Sequence, residues 1–244
     1  GGGLMMRARE ARYQVLYDEC MARGVRFLIT AHHLEDQVET FLLRKSRCSG
    51  VDGLAGMSAS APLAPNGLVA PSAAAGGLRL LRPLRGARRR DLRALCVSRG
   101  VEWEEDPTNQ DMRYLRNRIR RVLERSAPES VVEDCERVRG ACERARGELL
   151  GASAALLEEM RTGGGALRSG PLRAARPAVA RRAMSAALCL VSGRRVPPRT
   201  RTVADLLGRM AGGRMAGPFI GAGCRVMSVP RSKGALFRID PLDP

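Results

Sequence analysis

A short apolar segment between two helical patterns constrains the fold of this chain more than any other feature. Residues 25–30 read VRFLIT, and helical patterns stand on either side of them at 7–22 and 36–46. A run so short and so apolar is typical of a strand buried in a parallel sheet. A second run, LRLLRPL at 78–84, precedes a helical pattern that Gly100 ends. Strands that alternate with helices in this way predict an α/β domain built on a parallel sheet.

The second half of the chain follows a different pattern. Between residues 131 and 156 the apolar positions recur at alternating spacings of 3 and 4, which predicts one long amphipathic helix. Gly163–Gly165 end that pattern, and two shorter helical patterns follow at about 172–191 and 202–210. Residues 223–239 read as a β-hairpin. We therefore predict a mostly α-helical region with a C-terminal hairpin.

These patterns divide the chain into two predicted domains, residues 1–126 and residues 127–244. Within the first, residues 46–57 read as a loop punctuated by Gly, and residues 101–109 read as an acidic strand and turn. Residues 58–77 are rich in Ala, Pro, Ser and Gly. We interpret that segment as a flexible insertion without chemistry.

Composition narrows the choice of partner and compartment. The chain has 42 Lys and Arg against 25 Asp and Glu, and a net charge of +17 favours a nucleic-acid partner. Arginine usage from a GC-rich genome is an alternative source of part of that charge. No apolar stretch is long enough to span a membrane. Seven scattered cysteines without a C-x-x-C pair argue against a disulfide framework or a zinc site, and they favour an intracellular compartment.

Residues 29–43, ITAHHLEDQVETFLL, gather imidazoles and carboxylates where the first predicted strand passes into a helix. Asp36 and Glu39 share one helix face, with His32 about one turn earlier. Open α/β sheets bind their ligands at this place. A carboxylate pair can hold an ammonium group, and a neutral imidazole can contact phosphate or move a proton. The spacing also allows a metal site. The alternative without a function is an acidic first turn that complements the helix dipole.

Arginines mark two further helical patterns. Arg9 and Arg12 share one face of the first helix, where they can meet a phosphate. The helix predicted over 113–124 carries two arginine stripes and an apolar side. The stripes are Arg113, Arg116 and Arg120, then Arg118, Arg121 and Arg125, and the side expected to be buried is Leu115, Ile119 and Val122. Such stripes suit a phosphate-rich ligand, and a solvated surface is the alternative in both helices.

Four segments follow one another in a characteristic order. They are AREARYQ (8–14), TAHHLEDQVETFLLRKSRCSGVDGLAGM (30–57), LLRPL (80–84) and WEEDPTNQD…YLRNRIRRVL (103–123). Together they resemble the tRNA(Ile)-lysidine synthetases, a family of N-type ATP pyrophosphatases. The resemblance is specific over residues 7–125 and weaker beyond, where the long helix and hairpin are similar to the family's tRNA-binding accessory domain.

The resemblance implies a ligase that forms a carbon–nitrogen bond. Members of this family use ATP to adenylate the C2 oxygen of the wobble cytidine of tRNA(Ile), and the ε-amine of L-lysine then displaces AMP. The implied partners are therefore tRNA(Ile), L-lysine and ATP with Mg²⁺, and a homodimer is compatible with the sequence. A bacterial cytoplasm fits such a protein, and so does a mitochondrion or plastid of a GC-rich eukaryote.

The resemblance also assigns roles to residues by their place in each motif. The catalytic and substrate-binding candidates are Arg12 and His32 at the ATP and reaction centre, Asp36 and Glu39 at the lysine, and Arg116 or Arg118 as a late catalytic arginine. The candidates for RNA binding, Arg118, Arg121 and Arg125, come instead from the second arginine stripe and its charge.

The sequence departs from the family pattern at two places. The opening strand and S-G-G-x-D-S pyrophosphate loop are not in this sequence, which begins Gly1-Gly2-Gly3. We therefore expect an incomplete, inactive fragment or one half of a split enzyme, with an unpaired sheet edge and uncovered apolar surface around Phe27–Ile29. Cys48 replaces the Gly usual in an R-G-S-G turn, and losing Gly from a left-handed position costs about 1 kcal/mol.

Two other functions compete with this interpretation. A tRNA thiolase of the same superfamily would generally use a cysteine pair, which this sequence lacks. A non-catalytic basic tRNA-binding protein would share the charge and the arginine stripes, so RNA binding by itself does not separate it from the enzyme.

Overall fold

The computed structural model describes residues 2–63, 77–104, 111–125, 128–194, 196–211, 215, 217–230, 232 and 236–242. Contacts divide the chain into two compact units, Gly1–Ala145 and Arg146–Pro244. The boundary between these units falls later in the sequence than the predicted domain boundary at 126, and that boundary stays a prediction.

The first unit is an α/β arrangement, which confirms the predicted class. Its elements are α1 (Gly2–Ala22), β1 (Phe27–Ile29), α2 (Leu34–Lys45), α3 (Val51–Leu54), β2 (Ser60–Pro62), β3 (Arg79–Leu81), α4 (Arg89–Ser98), α5 (Leu115–Arg125) and the beginning of α6 (Glu129–Met160). The strand order is β1-β3-β2. β1 pairs with β3 in parallel, with Leu28 opposite Leu80, and β2 pairs with β3 antiparallel.

The connecting segments differ from the sequence-based predictions in three places. The flexible insertion predicted over 58–77 is wrong at its start, because Ser60–Pro62 pair with β3, and residues 64–76 lie outside the described part. The loop predicted over 46–57 contains the short helix α3. Residues 101–104 form no strand, and residues 105–110 are outside the described part.

Buried and exposed residues alternate along β3 and show which face of the sheet packs against the core. Leu78 and Leu80 are buried while Arg79 between them is exposed, as a pleated strand requires. These two leucines pack with Tyr13 and Cys20 of α1 and with Leu63. This contact holds α1 against the sheet.

The free side of β1 agrees with the prediction made for it. Among the described residues no strand pairs with that side. Phe27 is 55% exposed and Ile29 is 64% exposed. Apolar surface is therefore uncovered at this edge of the sheet.

Cys48 adopts the left-handed conformation, with φ +51°. It is exposed in the turn that follows α2. The αL position inferred from the missing Gly is thus confirmed, because only Gly occupies it without a steric cost.

The second unit joins helices to an antiparallel sheet. Its elements are the end of α6, β4 (Leu167–Arg168), α7 (Ser169–Ala174), α8 (Pro177–Ser192), α9 (Thr200–Ala211), β5 (Phe219–Gly221), β6 (Cys224–Ser228) and β7 (Leu236–Pro241). The predicted hairpin is β6 and β7, with Val226 opposite Ile239, and the sheet order is β4-β7-β6-β5. Its core includes Met184, Leu188 and Leu206.

No helix in the described part of the chain is both long enough and apolar enough to cross a membrane.

Candidate functional site

The candidate site begins at the carboxyl edge of β1 and β3. Because these strands are parallel, the residues that follow them lie at the same edge. The N–H of Thr30 donates to the carbonyl of Leu81 at 2.9 Å, and the Thr30 hydroxyl lies 2.8 Å from Nδ1 of His32. The hydroxyl therefore orients the His32 ring at the place where α/β sheets bind ligands.

The surroundings of His32 favour its neutral form. Burial lowers the pKa of His32 below 6.5, the charge of Asp36 opposes this effect, and the charges of Arg82, Arg9 and Arg116 add to it. At neutral pH the imidazole is therefore uncharged, and its ring can accept a proton or a hydrogen bond.

Asp36 and Glu39 of α2 meet two arginines of α5. Nε of Arg116 donates to Oε2 of Glu39 at 2.6 Å, and its Nη2 donates to Oδ1 of Asp36 at 2.7 Å. Nε of Arg120 donates to Oε1 of Glu39 at 2.6 Å, and its Nη2 donates to Oε2 at 3.2 Å. We call these four side chains the acid–arginine cluster.

The two carboxylates of this cluster differ in access. Glu39 is 1% exposed, and both of its oxygens accept from guanidinium groups. Asp36 is 9% exposed, and its Oδ2 accepts from the backbone N–H of His33 at 3.0 Å. The cluster therefore fastens α5 to α2, and a ligand ammonium would have to share or displace contacts that Arg116 and Arg120 already make.

Glu35 in the same helix has a different task. Its Oε2 accepts from the backbone N–H of Arg89, the first residue of α4, at 3.0 Å and lies 3.0 Å from Nδ1 of His33. Burial opposes ionisation, but the hydrogen bonds of His33 and Arg89 outweigh it and lower the pKa of Glu35. Glu35 thus caps α4.

A buried polar cluster that the sequence reasoning missed supports α2. The side chain of Gln37, which is fully buried, donates to the Met57 carbonyl at 2.8 Å and accepts from the Met57 N–H at 2.9 Å. Arg139 of α6 donates to the Ala55 carbonyl at 3.0 Å and pairs with Glu136 at 2.6 Å. The hydrogen bond with Glu136 raises the pKa of Arg139.

Gly56 leaves space for the buried side chains of Gln37 and Arg139. Its φ is +67°, and a Cβ there would lie 2.7 Å from Oε1 of Gln37 and 3.1 Å from Cδ of Arg139. The G-L-A-G-M segment was the signal in the sequence, since Gly marks close approach of backbone to side chains.

The second arginine stripe of α5 faces solvent. Arg118, Arg121 and Arg125 are exposed, and no acidic residue in the described ranges forms an ion pair with any of them. In contrast, Arg113 pairs with Asp111 at 2.7 Å. The exposed stripe is therefore available to an external anion.

The apolar side of α5 is less buried than predicted. Leu115 and Val122 are exposed, and Ile119 is half-buried. They contribute to an open apolar groove of about 400 Å³, and the residues lining it are Leu42, Leu115, Arg118, Ile119, Val122, Leu123 and Val131. The prediction was wrong for these three residues because the acid–arginine cluster and the packing of Leu123 against Leu34, Val38 and Val132 hold this helix.

Two other candidates are placed as follows. Arg12 is exposed on α1. Within the described ranges no three His, Cys, Asp or Glu side chains are arranged to hold a metal ion, so His32, Asp36 and Glu39 do not form such a group.

The fold and this site agree with a known class of protein. A family model for the PP-loop domain matches residues 1–126, and the chain belongs to that family. Membership of this ATP-binding family implies ATP as the nucleotide.

Particular relatives share the name tRNA(Ile)-lysidine synthase, which confirms the resemblance seen in the motifs. The protein from Novosphingobium aromaticivorans is 43% identical over 123 residues, covering 50% of this chain and 35% of that protein. The protein from Anaplasma marginale is 30% identical over 242 residues, covering 95% of this chain and 48% of that protein. The protein from Brucella anthropi is 36% identical over 197 residues, covering 79% of this chain and 42% of that protein. These relatives are bacterial, and the chain spans less than half the length of each.

Proposed function

We propose that the protein is a tRNA(Ile)-lysidine synthase, which ligates L-lysine to C2 of the wobble cytidine of tRNA(Ile) with ATP and Mg²⁺ in the bacterial cytoplasm. The observation that carries this proposal is the meeting of His32, Asp36 and Arg116 at the carboxyl edge of the parallel strands, in a chain of the PP-loop family. The imidazole can accept the proton of the amine, and the carboxylate can hold the ammonium group. The guanidinium can stabilise the negative charge that develops in the ligation. A homodimer stays a prediction.

The residues at this edge fit a nucleotide phosphate. His32 is neutral and oriented by Thr30, and positive charges from Arg9 and Arg82 act on it. Phosphate oxygens accept hydrogen bonds from guanidinium groups such as those of Arg9 and Arg82. ATP bound here would supply an activating adenylyl group, and phosphate and water oxygens would hold Mg²⁺. Arg12, for which the family resemblance also implies a role at the nucleotide, would contribute from α1.

His32 is the proposed base. An attacking amine must lose a proton, and lysine in water keeps its proton until about pH 10. A neutral imidazole beside the site can accept that proton as the new carbon–nitrogen bond forms. Arg116, which contacts both carboxylates, would stabilise negative charge that develops near the reacting carbon.

Asp36 and Glu39 would divide the work that the motif assigned to them as a pair. Asp36 is the more accessible carboxylate and would contact the ε-ammonium of the incoming lysine. Glu39 has both oxygens engaged by guanidinium groups and would position Arg116 and Arg120. In this arrangement Glu39 acts on the reaction through the arginines.

RNA binding is assigned to the exposed stripe of Arg118, Arg121 and Arg125. These side chains are not engaged by acids among the described residues, so they can neutralise backbone phosphates. The same stripe supports the second candidate, a non-catalytic tRNA-binding protein. The thiolase alternative has less support, since the sequence has no C-x-x-C pair of the kind that such enzymes generally use.

One assay tests the proposed function against both alternatives. The full-length gene product is incubated with tRNA(Ile), ATP and radiolabelled lysine, and the label that becomes covalently attached to the tRNA is counted. We expect lysine transfer that requires ATP and is lost in His32→Ala. Transfer of sulfur, or tRNA binding without any transfer, would refute the synthase.

A further inference from the structure

Arg82 is a buried cation without a carboxylate partner. The residue is 5% exposed, and its Nη1 donates to the carbonyl of Ser58 at 2.8 Å. Its Nε is buried and has no hydrogen-bond acceptor in the described part of the chain, nor does any Asp or Glu there form an ion pair with it. A buried charge without a counter-ion is costly, so proteins normally pair such groups. Arg82 is therefore an exception that needs a reason.

The position of Arg82 in the sheet is the first part of that reason. Leu81 lies opposite Ile29 in the parallel register, so Arg82 and Thr30 follow neighbouring strands at the same edge. Thr30 in turn orients His32 through the 2.8 Å contact with Nδ1. Arg82 thus belongs to the edge that carries the candidate site.

A second cation reaches this edge from α1. The guanidinium of Arg9 lies 5.0 Å from the centre of the Tyr13 ring, and Tyr13 is buried in the cluster that contains Leu80, close to Arg82 in the chain. Burial lowers the pKa of Arg82 first of all, Tyr13 opposes this effect, and the charge of Arg9 lowers the pKa further. Like charges are therefore held together beside a neutral imidazole.

The neighbouring Arg85 does not remove the excess of positive charge at Arg82. Arg85 also lies near Arg82, but its own charge is matched by Glu143 at 2.7 Å. An external anion can then balance the positive charge that Arg82 and Arg9 bring to this edge. The low exposure of Arg82 favours a small phosphate group over an RNA backbone, which is better served by exposed arginines.

We propose that Arg82, Arg9 and His32 form a pocket for the phosphate groups of a nucleotide, a role that the sequence patterns did not assign to Arg82. The pocket deepens the proposed function and rests on it for the identity of the nucleotide. Arg82 supplies the buried charge, Arg9 closes the pocket from α1, and His32 borders the pocket.

Pyrophosphate is the probe for this pocket, because it carries linked phosphate groups and needs neither tRNA nor lysine. It is titrated calorimetrically into the full chain, into Arg82→Met and into Arg79→Met. Arg79 is an exposed arginine at the other end of β3, so its variant loses the same charge without touching the pocket. We expect Arg82→Met to weaken binding about tenfold or more and Arg79→Met less than about twofold. Equal affinities for the wild type and Arg82→Met would overturn the proposal.

A measurement on the unchanged protein applies even if Arg82→Met does not fold. Imidazole NMR titrations of the wild type, with and without saturating pyrophosphate, report the pKa of His32. A bound anion beside the ring favours its charged form, so the pKa of His32 should rise. No change would contradict the pocket. Pyrophosphate binding in a protein that transfers no lysine would refute the proposed function and leave the pocket standing.

Discussion

Asp36 and Glu39 are neighbours on one helix face, yet substitution should separate them. Asp36→Asn keeps the shape of the side chain and an acceptor for the His33 N–H, but it removes the charge proposed to hold lysine. We expect the KM for lysine to rise about tenfold or more with little change in the KM for ATP, because a charge-assisted hydrogen bond is worth about 1.5–3 kcal/mol. Steady-state kinetics with each substrate varied would show this, and equal effects on both substrates would refute the assignment.

Glu39→Gln is the matched variant for that experiment. It weakens a buried ion pair with Arg116 and Arg120, so we expect a loss of unfolding free energy on the order of 3 kcal/mol, measured by urea denaturation. If Glu39→Gln were as stable as the wild type while Asp36→Asn unfolded, the division of work between the two acids would be reversed.

Gly56 provides a second test that depends on one residue. Gly56→Ala combines a left-handed φ with a close approach to Gln37 and Arg139, whereas Gly24, with φ +65°, has open space where a Cβ would lie. Gly24→Ala should therefore cost about 1 kcal/mol for its backbone conformation alone. Gly56→Ala should cost about 1–3 kcal/mol more because of overpacking. If urea denaturation gave equal losses of unfolding free energy for the two variants, the side chains of Gln37 and Arg139 would move aside at little cost.

The helix α5 is the element in which two functions meet. One stripe of arginines is engaged by acids, and the other is exposed, so the two stripes can be changed separately. Replacing Arg118, Arg121 and Arg125 by Ala should weaken tRNA binding uniformly across tRNA sequences. It should also lower the slope of log affinity against log salt by about 0.7–0.9 for each phosphate that the variant no longer neutralises.

Fluorescence anisotropy with labelled tRNA over a range of KCl concentrations measures that slope. The control is Arg113→Ala, in which a paired arginine of the same segment is removed. An unchanged slope for the triple variant would exclude this stripe from the RNA surface.

The stability of the whole molecule should depend on the titration of His32. The pKa of His32 is lowered in the folded protein. Just below about pH 6.5, His32 is therefore protonated in the unfolded chain but still neutral in the folded chain. The free energy of unfolding should therefore fall as the pH decreases from about 6.5 through the folded pKa, and His32→Gln should remove this part of the slope. Glu35 and Glu143 have lowered pKa values, so their contribution is lost only at lower pH, below about 4.5.

Urea denaturation at a series of pH values separates these two ranges. If the wild-type unfolding free energy were constant between about pH 5 and 6.5, or if His32→Gln kept the wild-type slope, the titration of His32 would not contribute to stability.

Local periodicity by itself was sufficient to determine much of this protein. The alternation of short apolar runs with helical patterns predicted β1, β3 and the α/β class, and the long stripe of apolar positions predicted α6. The position of His32, Asp36 and Glu39 at a strand end was also readable, because the carboxyl edge of a parallel sheet follows directly from chain order. These features depend on residues only a few positions apart.

Only the tertiary structure decided which charges meet. Asp36 and Glu39 pair with Arg116 and Arg120 from a helix far along the chain, and Arg82 has no acidic partner among the described residues. Pairing of β2 with β3 likewise overrode a composition typical of a flexible linker. Helical and strand periods act between near neighbours, whereas ion pairs and strand pairing depend on distances that exist only after the chain has folded.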